Sequence, residues 1–224
     1  MYVSSFTKGD IMVKNKETGS LIVISGPSGA GKGTVCKELI NDSNIRISVS
    51  MTTREPRDGE INGKDYYFVS KEEFLDNIDK GNLLEYATVH GSNYYGTPKN
   101  KVLTLLNDGF DVILEIDIQG ALKIKESIND AIYIFIMPPS MRELKNRLVK
   151  RKTETKEQLV ERFKNAYKEI NEISKYNYVV INDEVEKCAN KIRSIINAEK
   201  CRVDRIIDFD LNSEEELIHE LLIQ

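Results

Sequence analysis

The stretch LIVISGPSGAGKGT at residues 21–34 runs from four apolar residues straight into a glycine-rich turn that contains a lysine. Glycines crowd a turn where the backbone must approach a ligand closely, because side chains there would block the contact. Gly26 to Lys32 fit the pattern G-x-x-x-x-G-K, in which backbone N–H groups surround phosphate oxygens and the lysine reaches the outer phosphates. The alternative is a glycine turn with a purely structural role. A buried strand before the turn and a helix after it favour the phosphate-binding loop.

The residues after the lysine indicate how a metal would be held. The hydroxyl that usually follows the lysine is missing, since Gly33 stands there and Thr34 comes next. Thr34 carries the first hydroxyl after the lysine in the sequence, so it is the candidate ligand from this loop. We expect Mg²⁺ to be held mainly by phosphates and water. The third glycine of the dinucleotide pattern G-x-G-x-x-G is also absent, which argues against hydride transfer. The nucleotide-binding residues predicted in the loop are Gly26, Pro27, Ser28, Gly29, Ala30, Gly31, Lys32, Gly33 and Thr34.

The composition argues against several classes of function. The chain has 224 residues, of which 40% are hydrophobic and 30% charged, and its net charge of -4 gives no sign of a nucleic-acid-binding surface. Its cysteines lie far apart without C-x-x-C spacing, and it has 2 histidines, so neither a disulfide framework nor a zinc site is expected. There is no signal-peptide core and no long apolar run, so we expect a cytoplasmic protein without a membrane partner.

Apolar strands alternate with helices along most of the chain. Strands are predicted at 21–24, 111–117, 132–137 and 178–182, and helices after the glycine turn and at 99–107, 120 onward, 141–151, 156–174 and 184–200. This alternation predicts an α/β fold with a parallel sheet covered on both faces. Residues 45–98 instead combine short extended runs and turn signals with one helix capped by Ser70, which is typical of a small inserted lobe.

The segment SVSMTTREPRDG, residues 48–59, carries two arginines three positions apart. Pro56 keeps this segment out of a helix, so Arg54 and Arg57 lie on a tight loop beside a glycine. Two guanidinium groups suit a phosphate monoester, whose three oxygens can be shared between bidentate donors. The alternative is a solvated pair of surface arginines.

Five segments together resemble the guanylate kinases. GPSGAGKGT, SVSMTTREPRDGEINGKDYYF, NYYGTP, LEIDIQGA and NRLVKRKTET occur in the order and approximate spacing of that family, over residues 21 to about 200. The resemblance implies a P-loop NTPase-type parallel sheet flanked by helices, an inserted mixed α/β lobe that binds GMP, and a small helical lid that closes over ATP. The division expected is 1–20 as a flexible extension with Met12 as an alternative start, 21–50, 99–140 and 165–205 as the core, 51–98 as the GMP-binding lobe, 141–164 as the lid, and 206–224 as a helical tail.

The same resemblance assigns the acceptor site. It implies that the guanine base is bound by Ser50, Glu85 and Thr97, and the GMP phosphate by Arg54, Arg57, Tyr66 and Tyr95. Glu115 and Asp117, at the end of a strand beside the phosphate loop, are the expected contacts to ribose or to water on Mg²⁺. Tyr95 belongs to the pair Tyr94-Tyr95, in which either hydroxyl could be the one that binds.

Guanine chemistry supports the role given to Glu85. Guanine presents two adjacent donors, N1–H and the 2-amino group, and one carboxylate can accept from both. Adenine offers an acceptor at N1 and has no 2-amino group, so a carboxylate would select against it. Without the family match, Glu85 could equally be an ordinary exposed glutamate after two core leucines.

The lid carries the arginines expected to face ATP. Arg147 and Arg151 are four residues apart, so they share a helix face, and Arg162 completes the trio that the resemblance implies. From spacing alone, a solvated basic face balanced by glutamates is equally compatible. Asn182, in the segment IND, resembles the residue on the adenine side of the family's ATP site.

These expectations add up to a phosphotransferase that moves the γ-phosphoryl of ATP to GMP with Mg²⁺, giving ADP and GDP. Whether dGMP is also an acceptor stays open. The rival interpretations are a guanylate-kinase-like binding module without turnover and a kinase for another nucleoside monophosphate. A leucine-bearing helix predicted near the C-terminus could pack on its own core or form a homo-oligomer contact.

Overall fold

The computed structural model describes residues 18–89, 93–150 and 156–202, together with residues 205 and 222. Within these ranges no helix is both long enough and apolar enough to cross a membrane. The predicted N-terminal extension with Met12 and the predicted helical tail fall almost wholly outside the described residues, and both remain predictions.

Strands and helices alternate along most of the described chain. The strands are β1 (Leu21–Ser25), β2 (Ile45–Ile47), β3 (Met51–Thr52), β4 (Tyr67–Phe68), β5 (Leu83–Val89), β6 (Asn93–Pro98), β7 (Asp111–Glu115), β8 (Ile132–Met137) and β9 (Tyr178–Ile181). The helices are α1 (Lys32–Leu39), α2 (Lys71–Asp79), α3 (Lys99–Asn107), α4 (Ile118–Ser127), α5 (Met141–Lys150), α6 (Lys156–Ile170) and α7 (Val185–Lys200), and a 3-10 helix (Asn171–Lys175) follows α6.

A five-stranded parallel sheet forms the core, in the order β2-β7-β1-β8-β9. All residues of its central strand β1 are buried, as expected for a strand with helices on both faces. Ile22 and Ile24 pack with residues of α1 and α7 on one face, while Leu21 and Val23 pack with residues of α3 and α4 on the other. The parallel α/β core predicted from the sequence is confirmed.

A second sheet lies within residues 51–98, in the order β4-β3-β6-β5. Its β3–β4 pair is parallel, whereas β3–β6 and β5–β6 are antiparallel. Helix α2 begins where predicted, since the Glu73 backbone N–H donates to Ser70 Oγ at 3.1 Å. α2 packs by Phe74, whose ring lies 5.4 Å from that of Tyr94 on β6.

Helices α5 and α6 follow the core strand β8 and pack together by Leu144, Leu148 and Ala166.

Three predicted boundaries need correction. Strand β2 pairs in parallel with β7, so residues 45–47 belong to the core sheet, in agreement with the core range 21–50 and not with the lobe that the local pattern of 45–98 suggested. Helix α6 ends at Ile170 and passes into the 3-10 helix, short of the predicted end at residue 174.

The third correction concerns the end of β7. The strand stops at Glu115, and α4 begins at Ile118, two residues before the predicted start at Gly120. Asp117, predicted as the last strand residue, has an extended backbone and caps the helix, accepting the Gly120 N–H on Oδ1 at 2.7 Å. An aspartate that caps a helix sits just before its first turn, which is why the helix starts earlier.

Candidate active site

The glycine turn joins β1 to α1 in the middle of the core sheet. Gly31 is the N-cap of α1 with φ of 89°, a conformation that glycine adopts without strain. A Cβ at this position would lie 2.5 Å from Asn182 Nδ2, so a side chain does not fit. Because the cap has no side chain, the first N–H groups of α1 are left for another acceptor. A helix start of this kind is suited to binding an anion.

Two predicted site residues, Asn182 and Arg147, donate hydrogen bonds to the backbone of the phosphate loop. Asn182 is buried and donates from Nδ2 to the carbonyl oxygen of Ala30 at 2.8 Å. Arg147 donates to the same carbonyl at 3.3 Å and to the carbonyl oxygen of Asn182 at 3.0 Å, while its Nε donates to Glu143 Oε1 at 3.0 Å. The structure therefore brings the second half of α5 and the residue after β9 into contact with the phosphate loop.

Lys32 folds back over its own loop. Its Nζ donates to the carbonyl oxygen of Gly26 at 2.6 Å and to that of Pro27 at 3.3 Å. Burial lowers the pKa of Lys32, and the nearby carboxylates of Glu115 and Glu169 act in the opposite direction. The ammonium group is thus held by carbonyl dipoles at the place where phosphate oxygens would arrive.

A cleft of about 250 Å³ separates the phosphate loop from the second sheet. It brings together the loop lysine, side chains from the lobe and side chains from the end of β7. Its lining residues are Lys32, Ser50, Tyr66, Glu85, Ala87, Tyr95, Gly96, Glu115, Ile116 and Asp117. Seven of these were predicted as site residues from the sequence, although they are spread over more than eighty positions.

Glu85 is the buried carboxyl group of this cleft, with 8% of the residue exposed. Thr97 Oγ1 donates to Glu85 Oε1 at 2.8 Å. Burial raises the pKa of Glu85 to about 7, the hydrogen bond from Thr97 opposes this rise, and the charge of Asp117 adds to it. An exposed surface glutamate, the alternative left open by the sequence, is excluded by this burial.

Arg54 lies beside the cleft, where it is held by Tyr95, one of the lining residues. Its Nε donates to the Tyr95 hydroxyl at 3.2 Å, and its Nη2 lies 2.9 Å from Glu60 Oε1. The guanidinium carbon is 5.4 Å from the centre of the Tyr66 ring, which meets the Tyr95 ring edge-on at 5.9 Å. Neither Arg54 nor Arg57 lines the cleft itself, but Arg57, on the same loop, is exposed, whereas Arg54 is partly buried.

Tyr94 and Tyr95 make different contacts. Tyr95 points into the cleft and accepts from Arg54, whereas Tyr94 packs on Phe74 of α2. Adjacent residues of a strand face opposite sides of the sheet, so only one of the two hydroxyls can meet Arg54. The geometry therefore favours Tyr95 over Tyr94 as the residue beside Arg54.

Two carboxyl groups that could contact a metal lie in the cleft with the loop lysine. Glu115 and Asp117 line the cleft with Lys32, and burial raises the pKa of Glu115, which the charge of Lys32 opposes. Thr34 is exposed in the first turn of α1. Among the described residues, no group of three or more His, Cys, Asp or Glu is arranged to hold a metal by itself. Thr34 and Asp117 remain predicted metal ligands.

The structure describes only one of the other two arginines predicted for the lid. Arg162 lies on α6 and is half-buried. Arg151 falls outside the described residues, so its predicted place beside Arg147 stays a prediction.

Two acidic residues that the sequence analysis did not identify contact the arginine loop and the phosphate loop. Glu60 binds Arg54 and accepts the Arg57 N–H at 2.7 Å, and Glu169 Oε2 accepts the Ser28 N–H at 3.3 Å.

A local signal existed for only one of these two. Glu60 follows the Asp58-Gly59 turn, so a turn prediction would have placed its carboxylate back over the arginine loop. Glu169 is more than a hundred residues from the loop in sequence, and only the packing of α6 brings it to Ser28.

Comparison with known proteins agrees with this geometry. The family model described as guanylate kinase matches residues 18–199. The chain is 66% identical to a guanylate kinase of Clostridium tetani over 92% of this chain and 99% of that protein. It is 59% identical to a guanylate kinase of Clostridium acetobutylicum over 90% of this chain and 96% of that protein.

A solved structure extends the likeness to three dimensions. The crystal structure of guanylate kinase from Anaplasma phagocytophilum superposes with a TM-score of 0.71 at 38% identity, covering 86% of this chain and 92% of that one. The family match over residues 18–199 covers both sheets and the helices between them. Since the match covers the phosphate loop, the buried Glu85 and the arginine loop within one chain, this protein belongs to the guanylate kinase family.

Proposed function

We propose that the chain transfers the γ-phosphoryl group of ATP to GMP, giving ADP and GDP. The observation that carries the proposal is the cleft itself, which is lined by the loop lysine and a buried carboxyl group and has an anchored arginine beside it. Family membership supports the same reaction. The GMP lobe and the lid would then be residues 51–98 and 141–164, and the core would be residues 21–50, 99–140 and 165–205.

The guanine base would be bound at Glu85. Its carboxylate can accept from both N1–H and the 2-amino group, while the Thr97 hydroxyl holds one of its oxygens. Ser50 lines the same cleft and offers a further hydroxyl to the base. A buried polar site of this kind rejects bases that leave its groups unpaired, which gives selectivity for guanine over adenine.

The acceptor phosphate would be bound at the arginine end of the cleft. Arg54 is held by Tyr95 and Glu60, so its guanidinium group is already oriented before substrate arrives. Preorganised donors of this kind stabilise charge without having to reorient during the reaction. Tyr66 lines the same end, and Arg57 could join from the exposed part of its loop.

The donor phosphates would occupy the loop and the start of α1. Lys32 would exchange its two carbonyl partners for phosphate oxygens and neutralise the charge that grows on the transferring group. Arg147 already touches the loop, and Arg151 and Arg162 would approach when the lid closes. Closure would exclude water and so suppress hydrolysis of ATP.

Mg²⁺ fits the oxygen donors present. Thr34, Glu115 and Asp117 would hold it, largely through water and the phosphates of the bound nucleotide. The ion supplies charge neutralisation between the phosphate groups. We place this reaction in the cytoplasm, which is consistent with the buried Cys36 and Cys188 being free thiols.

A coupled assay tests the proposal. Purified protein is given ATP and Mg²⁺ with GMP, dGMP, AMP, CMP or UMP in turn, and formation of ADP is followed. We expect rapid turnover with GMP and far slower turnover with AMP, CMP and UMP. An enzyme that prefers AMP, or one that binds GMP without turnover, would contradict the proposal.

A further inference from the structure

Gly120 occupies a helical position where glycine has no conformational advantage. It lies in the first turn of α4, is buried, and has no positive φ, unlike the glycines of the turns. Glycine is less favourable than alanine in the interior of a helix. The need for glycine here must therefore come from a neighbour.

That neighbour is the carboxyl group of Glu85. A Cβ added at Gly120 would lie 2.8 Å from Glu85 Oε2 and 3.3 Å from its carboxyl carbon. The other oxygen of the same group, Oε1, accepts the hydrogen bond from Thr97. The carboxyl group is thus confined between a hydroxyl donor on one side and the bare Cα of Gly120 on the other.

The two elements that carry Glu85 and Gly120 are tied together. One turn further along α4, Lys123 Nζ donates to the carbonyl oxygen of Tyr86, the residue after Glu85, at 2.8 Å. The Gly120 N–H is itself held by Asp117 at the cap of the helix. The third atom near an added methyl group is Asp117 Oδ1 at 3.4 Å, an ordinary contact, so the clash is with the Glu85 side chain alone. Because the helix and the strand are held in place, the carboxyl group of Glu85 would be displaced.

We propose that Gly120 is a specificity-positioning residue, whose missing side chain sets the place from which Glu85 meets both guanine donors. This inference rests on the proposed function, since it concerns the acceptor base of that reaction. Gly120 does not touch substrate in this role; it acts through Glu85. Replacement by alanine should leave the fold intact and move the carboxylate to a position from which it cannot accept from both N1–H and the 2-amino group.

The test compares Gly120→Ala with Glu126→Ala, an exposed position on the same helix that does not contact Glu85. Calorimetry gives the affinities for GMP, for IMP, which lacks the 2-amino group, and for ATP. We expect Gly120→Ala to weaken GMP binding by about 10- to 100-fold, the usual effect of losing a hydrogen bond to a charged group. Its preference for GMP over IMP should fall, ATP affinity should change less than about twofold, and its melting temperature should not drop. Glu126→Ala should behave like the wild type.

A double-mutant cycle with Glu85→Ala separates positioning from general damage. If Gly120 acts only through the Glu85 carboxyl group, then Gly120→Ala should change GMP affinity less than about threefold once that group is absent. Equal losses in both backgrounds would overturn the inference, as would a Gly120→Ala protein with the wild-type GMP-to-IMP preference. Failure of the proposed function would look different, because the wild type itself would not phosphorylate GMP.

Discussion

Lowering the pH should weaken GMP binding through Glu85. Burial raises the pKa of this carboxyl group to about 7 in the free protein, and only the ionised form accepts from both guanine donors. About nine tenths of the groups are ionised at pH 8, and about one tenth at pH 6. The contribution of Glu85 should therefore reduce GMP affinity by about tenfold between these two values.

Proton release gives an independent measure of the same event. Near pH 7 about half of the free protein carries a proton on Glu85, and the guanine complex requires its loss, so binding should release about 0.5 proton. Calorimetry of GMP binding in buffers with different ionisation enthalpies measures that number. The second ionisation of a phosphate monoester, near pH 6, acts in the same direction and must be separated.

Glu85→Gln is the matched control for that separation. The variant keeps the titration of the GMP phosphate and loses that of the carboxyl group, so its affinity should vary less between pH 8 and pH 6 than that of the wild type. The reasoning would be refuted if both proteins had the same pH dependence, or if the wild type released no proton at pH 7.

Three further predictions concern the same site. Glu85→Gln should raise the free energy of unfolding at pH 8 by up to about 3 kcal/mol. The pKa of Glu85 is about 7 in the folded protein and 4.5 ordinarily, so ionising this buried group destabilises the wild type increasingly as the pH rises from 4.5 to 7. Denaturant unfolding at pH 8 and pH 4.5 checks this, and an equal difference at both values would contradict it. Lys32→Ala should lower kcat by roughly two orders of magnitude with little change in GMP affinity, and near-normal turnover would remove Lys32 from the mechanism. Arg54→Ala should weaken GMP binding by about 1.5 to 3 kcal/mol and Arg57→Ala by less, because the Arg54 side chain is held by Tyr95 and Glu60 whereas Arg57 is exposed. A loss of ATP affinity instead would assign the arginines to the other substrate.

Local patterns in the sequence were sufficient for elements whose signals lie within a few residues. The apolar run before the glycines predicted β1, and Ser70 followed by Glu73 predicted the start of α2, which the structure confirms. Boundaries were less predictable where one residue could serve two elements. Asp117 continues the apolar strand in sequence, but its side chain caps α4, and that choice depends on the position of the helix in the fold.

The sequence by itself determined the glycine turn between β1 and α1 and the alternation of strands and helices, because both depend on residue types at short spacings. It also determined the family, because five segments occur in the family's order along the chain. Only the tertiary structure decided that β2 pairs with β7 at the edge of the core sheet and that Tyr95, not Tyr94, meets Arg54. It also decided that Gly120 of α4 lies against the carboxyl group of Glu85. Contacts between residues far apart in the chain depend on how whole elements pack, and no local spacing encodes that packing.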